Sequence, residues 1–69
     1  MTETFDQSVA RGRAAYALGV RVALGVGSQS DLDRVVALPD DDLASYRLGR
    51  AHVLGGLWVL VDGVPKEVA

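Results

Sequence analysis

The chain reads as an all-α, three-helix domain with apolar surface left over for a second copy. Three observations predict this. Apolar residues recur at helical spacing over two long stretches. Cap signals and Gly or Pro stops divide the chain into three. Of its 69 residues, 49% are hydrophobic, generous for a chain so short that most residues must face water.

The first helix is expected over residues 5–24. Thr4 stands three residues before Gln7, the spacing of a capping box. Phe5, Val9, Tyr16, Val20 and Ala23 then follow a helical period, and Gly25 and Gly27 supply the stop. Locally, Val20, Val22, Leu24 and Val26 also alternate like a strand, but the helix upstream favours continuation. A short second helix is expected over 31–38. Ser30 serves as its N-cap, Asp33 takes the box position, and Pro39 closes it. The third is expected over 41–61, capped by Asp40 or Asp41, with acids in the first turn suiting the helix dipole. Leu43, Tyr46, Val53, Leu57, Leu60 and Val64 share its face. Its weak point is Gly55-Gly56, since each interior Gly costs about 1 kcal/mol relative to Ala. The alternative is an α+β chain with a C-terminal hairpin over 57–68. "LWVLV" and "VPKEV" flank Asp62-Gly63, a good two-residue hairpin signal.

Residues 1–69 make one small domain with short flexible ends. Ordering so short a chain nearly cancels what its core contributes. Natural small domains add disulfides, metals or partners, but this chain has no Cys and one His. Oligomerisation is the staple that remains. A net charge of −2 argues against sequence-independent nucleic-acid binding. The longest apolar run, residues 53–61, is too short for a membrane span. The acidic start "MTETFDQ" does not resemble a secretory signal, so a cytoplasmic location is expected. Six Arg against one Lys, with no Ile or Asn, fits a high-GC bacterium or its phage.

The pattern Tyr-x-Leu-Gly-x-x-x-x-Leu-Gly occurs twice, at Tyr16–Gly25 and Tyr46–Gly55. Two units are too few for a repeat architecture. The glycines nonetheless extend small-residue stripes along both long helices. Gly19, Gly49 and Gly56 are the candidate helix contacts, because small residues let helix axes approach closely.

No residue set announces catalysis, a cofactor or a metal. His52 has no carboxylate one turn away to orient it. Asp40, Asp41 and Asp42 lack the alternation of a calcium loop. "GVGS" lacks the Gly-Lys-Ser ending of a phosphate loop. Arg47, Arg50 and His52 are the candidates for binding a small anion such as a nucleotide. Ser45 and Gly49 have a helix-turn-helix spacing, but Gly55 falls where an apolar residue belongs. Tyr46, Leu57, Trp58 and Val59 are the candidate partner-binding residues, with Trp58 as anchor. The expectation is therefore a small non-enzymatic protein–protein interaction or regulatory module. It acts as a homo-oligomer, a dimer in the simplest case, and on another protein. The alternatives are an anion binder and a compact DNA-binding regulator.

Overall fold

The computed structural model describes residues 2–68. Helix α1 spans Phe5–Ala23, α2 Gln29–Val36 and α3 Asp40–Leu54; strands β1 (Trp58–Val61) and β2 (Val64–Glu67) form an antiparallel hairpin. The fold is thus three helices plus a two-stranded sheet. The all-helical expectation fails after Leu54, and the α+β alternative describes the C-terminal segment.

The helix starts follow local chemistry. The Gln7 backbone N–H donates to Thr4 Oγ1 at 3.1 Å, and the Thr4 N–H donates to Gln7 Oε1 at 2.9 Å, closing the expected box. At α2 the box is shifted two residues. "SQSDLD" contains Ser-x-x-Asp twice, and Ser28 with Asp31 forms it, not Ser30 with Asp33. Asp31 is the one that Arg21 reaches from α1. At α3 the cap position is Pro39, with no side-chain cap bond, so all three acids lie inside the first turn. Proline suits this site, since its lack of an N–H is harmless at a helix start.

The third helix stops seven residues before the expected boundary, and the reason is Gly56. Gly55 is the C-cap and Gly56 follows with φ +82°. The Gly56 N–H donates to Val53 O and the Leu57 N–H to His52 O, which is a Schellman motif. Helix α1 ends the same way: Gly25 has φ +80°, its N–H donates to Val22 O, and the Val26 N–H donates to Arg21 O. A left-handed residue cannot continue a helix, so the chain leaves α3 extended. It then turns at Asp62-Gly63, with φ 53° and 77°, the paired positive values that match the twist of a two-residue hairpin.

Helices α1 and α3 run in the same sense, with α2 returning between them. Their contacts advance together: Arg11 meets Asp42, Gly12 meets Ser45, and Tyr16 meets Gly49 and His52. The core is thin. Ala15, Leu18 and Tyr46 are buried together, and Val22, Val35, Leu38 and Leu43 pack against them. Phe5, placed on the core face by periodicity, is exposed. Among the described residues, no helix is long and apolar enough to cross a membrane.

Candidate interaction surface and its supports

The helix crossing accounts for the repeated pattern. A Cβ built on Gly49 would fall closer than 3.0 Å to the Tyr16 carbonyl oxygen and 3.2 Å from Val20 N. A Cβ built on Gly19 would meet the Tyr46 carbonyl oxygen as closely and lie 3.2 Å from Arg50 N. Adding thirty to Tyr16, Gly19 and Val20 gives Tyr46, Gly49 and Arg50. The contacts exchange under that shift, so the crossing has a local two-fold symmetry. Each copy of the pattern supplies a glycine and the carbonyl that the other glycine accommodates. Gly56 has no part in it. Nothing lies within 4 Å of where its Cβ would be, and its conformation ends the helix. The helix-turn-helix spacing likewise finds no turn, because α3 runs unbroken through Gly49.

Tyr46, expected to bind a partner, is 6% exposed. The crossing puts its ring in the chain's own core, with the Arg50 guanidinium 5.8 Å from its centre. Trp58 also turns inward. Its indole N–H donates to the Tyr16 hydroxyl at 2.9 Å. The same hydroxyl shares a second hydrogen bond with His52 Nδ1, 2.7 Å away. The Tyr16 and His52 rings meet edge-on at 5.5 Å. This Trp58–Tyr16–His52 chain fastens the hairpin to both long helices. Trp58 is therefore an intramolecular anchor, and it is only half-buried. Local sequence around His52 could not reveal Tyr16, which lies 36 residues away.

The hairpin register sorts its side chains. Trp58, Leu60, Pro65 and Glu67 share one face, and Trp58 and Pro65 line a crevice with Tyr16, Val20 and Arg21 of α1. The other face carries Val59, Val61, Val64 and Lys66, continued by Leu57 and Val68, which are joined by a 2.8 Å bond. Its five aliphatic side chains are each 43–52% exposed. Leu57 and Val59, two of the expected partner-binding residues, belong to this face. Val61, Val64 and Val68 complete it; a helical period would also align them with Leu57, but only the hairpin register brings Val59 to the same face.

The arginines converge elsewhere than expected. Arg47 and Arg50 are exposed on α3, and His52 lies beside Tyr16. Arg11, Arg21 and Arg34 instead line one cleft between α1 and α2. Arg11 Nε donates to the Asp42 carboxylate, 2.9 Å at the nearer oxygen, and Nη1 to Glu3 at 2.6 Å. Arg21 approaches Asp31 through Nε and Nη2, both at 3.3 Å. Arg21 first, then the Ser28 backbone N–H, hold the Asp31 carboxyl below its ordinary range. The hydrogen bond to Asp42 likewise raises Arg11 above its usual value. Among the described residues, no three His, Cys, Asp or Glu side chains gather as a metal site would need.

No protein-family model, curated protein or solved structure matches this chain.

Proposed function

We propose that this chain is a small non-enzymatic interaction module of the cytoplasm that works as a homo-oligomer, with the outer face of the hairpin as its self-contact. The observation behind this is the aliphatic face of Leu57, Val59, Val61, Val64 and Val68, interrupted only by Lys66. An ordinary antiparallel sheet alternates apolar inside and polar outside. This hairpin is apolar on both faces, and a lone two-stranded hairpin is marginal in water.

A second copy is the occupant that charge and symmetry favour. The patch carries no acid, and a two-fold axis would set aliphatic side chains of each copy against those of the other. Sheets stacked about 10 Å apart interdigitate in this way. The five half-exposed side chains make a patch on the order of 300 Å². That is well under the ~800 Å² per partner of standard stable complexes. The pairing is therefore concentration-dependent, and the exposed Leu54 and Leu60 extend it at the margin. The same face would serve a heterologous protein partner.

Sedimentation from roughly 10 to 500 µM, a span suited to micromolar affinity, tests the reading. The expected result is a rise from the 7.3 kDa monomer toward twice that mass. Val59→Asp should abolish the rise while keeping the hairpin, because the new carboxylate stands opposite Lys66. A monomer throughout, or an unaltered rise in Val59→Asp, refutes it.

A further inference from the structure

We infer that the cleft between α1 and α2 is a binding site for a small flat aromatic anion, a planar apolar body bearing a carboxylate or a phosphate. The cleft has a volume of about 450 Å³, within the usual ~300–1,000 Å³ of small-molecule sites. Its composition is divided. Its lining combines apolar residues, among them Ala14, Ala17, Leu18 and Ala37, with Arg11, Arg21 and Arg34. Three guanidiniums line it; Glu3 and Asp42 pair with Arg11 and Asp31 pairs with Arg21, so Arg34 carries the one unpaired charge of the lining among the described residues.

Two of the three arginines are positioned before any ligand arrives. Asp42 and Asp31 are buried and grip Arg11 and Arg21, respectively. A guanidinium has five N–H donors in a fixed fork. The recorded bonds leave Nη2 of Arg11 and Nη1 of Arg21 free of protein partners among the described residues. Arg34 has no recorded hydrogen bond or ion pair among them and is exposed at the cleft's edge. The arrangement offers an anion one uncommitted arginine and two held in place, with their entropy of ordering already spent on the carboxylates. Alanine methyls leave room for a plane, not a bulky group, and guanidiniums stack favourably on aromatic faces. The site is separate from the hairpin face, so it stands or falls independently of self-association.

The test is a two-dimensional ¹H–¹⁵N titration of the full chain with 2-naphthoate, 2-naphthyl phosphate and neutral 2-naphthol. Saturable shifts are expected at the amides of Ala14, Ala17, Arg34 and Ala37 with at least one of the anions, and the tighter anion identifies the head group. The neutral naphthol should bind about tenfold more weakly, as befits loss of one charge-assisted hydrogen bond. Arg34→Gln should weaken the anion about as much, and Ala37→Leu, which adds bulk to the lining while keeping every charge, should also weaken it. Val59→Asp should bind like the wild type. Equal binding of naphthol, shifts centred on the hairpin, wild-type affinity in Arg34→Gln, or no saturable shift by about 10 mM, beyond any useful affinity, would each overturn the inference.

Discussion

Replacing Gly49 by Ala tests the helix crossing with one methyl group. In an ordinary helix interior this change stabilises by about 1 kcal/mol, since Ala is the better helix former. At Gly49 the new methyl would sit inside contact distance of the Tyr16 carbonyl oxygen, 3.1 Å from its carbon and 3.2 Å from Val20 N. All three are backbone atoms of a packed helix, so no side chain can swing aside. The helices must part by on the order of 1 Å, a gap that forfeits a quarter to a half of the dispersion across the seam. Overpacking of this kind costs about 1–3 kcal/mol or more. Net destabilisation of up to about 2 kcal/mol is expected once the propensity gain is subtracted. Gly19→Ala should behave alike, through Tyr46 O. Gly12 is the internal control: its Cβ would meet only Ser45 Oγ, at 3.6 Å, so Gly12→Ala should stabilise. Urea unfolding followed by circular dichroism at 222 nm reads all three. If Gly49→Ala is stabilised as much as Gly12→Ala, the close crossing does not exist.

Three further outcomes are expected. The Asp31 carboxyl is held below its ordinary value by Arg21 and the Ser28 N–H, so its contribution is full above the unfolded value of about 4 and is lost as pH falls through the lower folded value. The stability gap between wild type and Asp31→Asn should therefore shrink below about pH 4, and a gap constant from pH 7 to 2 would show that the ion pair contributes nothing. Gly56→Ala should cost about 1–2 kcal/mol, the strain of a left-handed L-residue, although its methyl touches nothing; Gly56→Asn should cost less, and an unchanged midpoint in the Ala variant would remove the Schellman stop. Tyr16→Phe should cost about 1 kcal/mol and increase hydrogen exchange in β1 while leaving exchange in α3 intact; unchanged exchange in the hairpin would show that Trp58 is anchored by other means.

What the sequence disclosed depended on how local the determinant was. Thr4 and Gln7 are three residues apart, and their box forms as read. Ser28 and Ser30 each offer a box, and the choice between them is made by Arg21 from another helix, which spacing cannot show. Gly55-Gly56 was read as a tolerated flaw in a long helix because the apolar run "LWVLV" suits a buried helix or a strand equally. Left-handed φ at Gly56 decides the matter, and Asp62-Gly63 pointed the same way. Gly19 and Gly49 were legible as close contacts because the helix period put them on small-residue stripes. Their reciprocal use of Tyr16 and Tyr46 was not, since it needs the relative orientation of two helices. The convergence of three other arginines was hidden for the same reason. Arg47 and Arg50 are close in sequence, whereas Arg11, Arg21 and Arg34 meet only through the α1–α2 packing.

The crossing that explains the glycines also explains why the hairpin is left uncovered. Where two helices touch through backbone, little side-chain surface lies between them. The seam of Gly19 and Gly49 gains dispersion from close approach, but removes less apolar area from water than a seam of Leu and Val would. The core that remains is Ala15, Leu18 and Tyr46 with a partly buried margin. Small residues occupy the inside, so much of the aliphatic material of a 49% hydrophobic chain lies outside, on Leu54, Leu57, Val59, Val61, Val64 and Val68. Leu57 and the four valines are collected on one face by the register that Asp62-Gly63 sets. A chain whose interior is built from glycine contact and whose surface is built from valine has its hydrophobic driving force still unspent. Association through that face is the step that would use it.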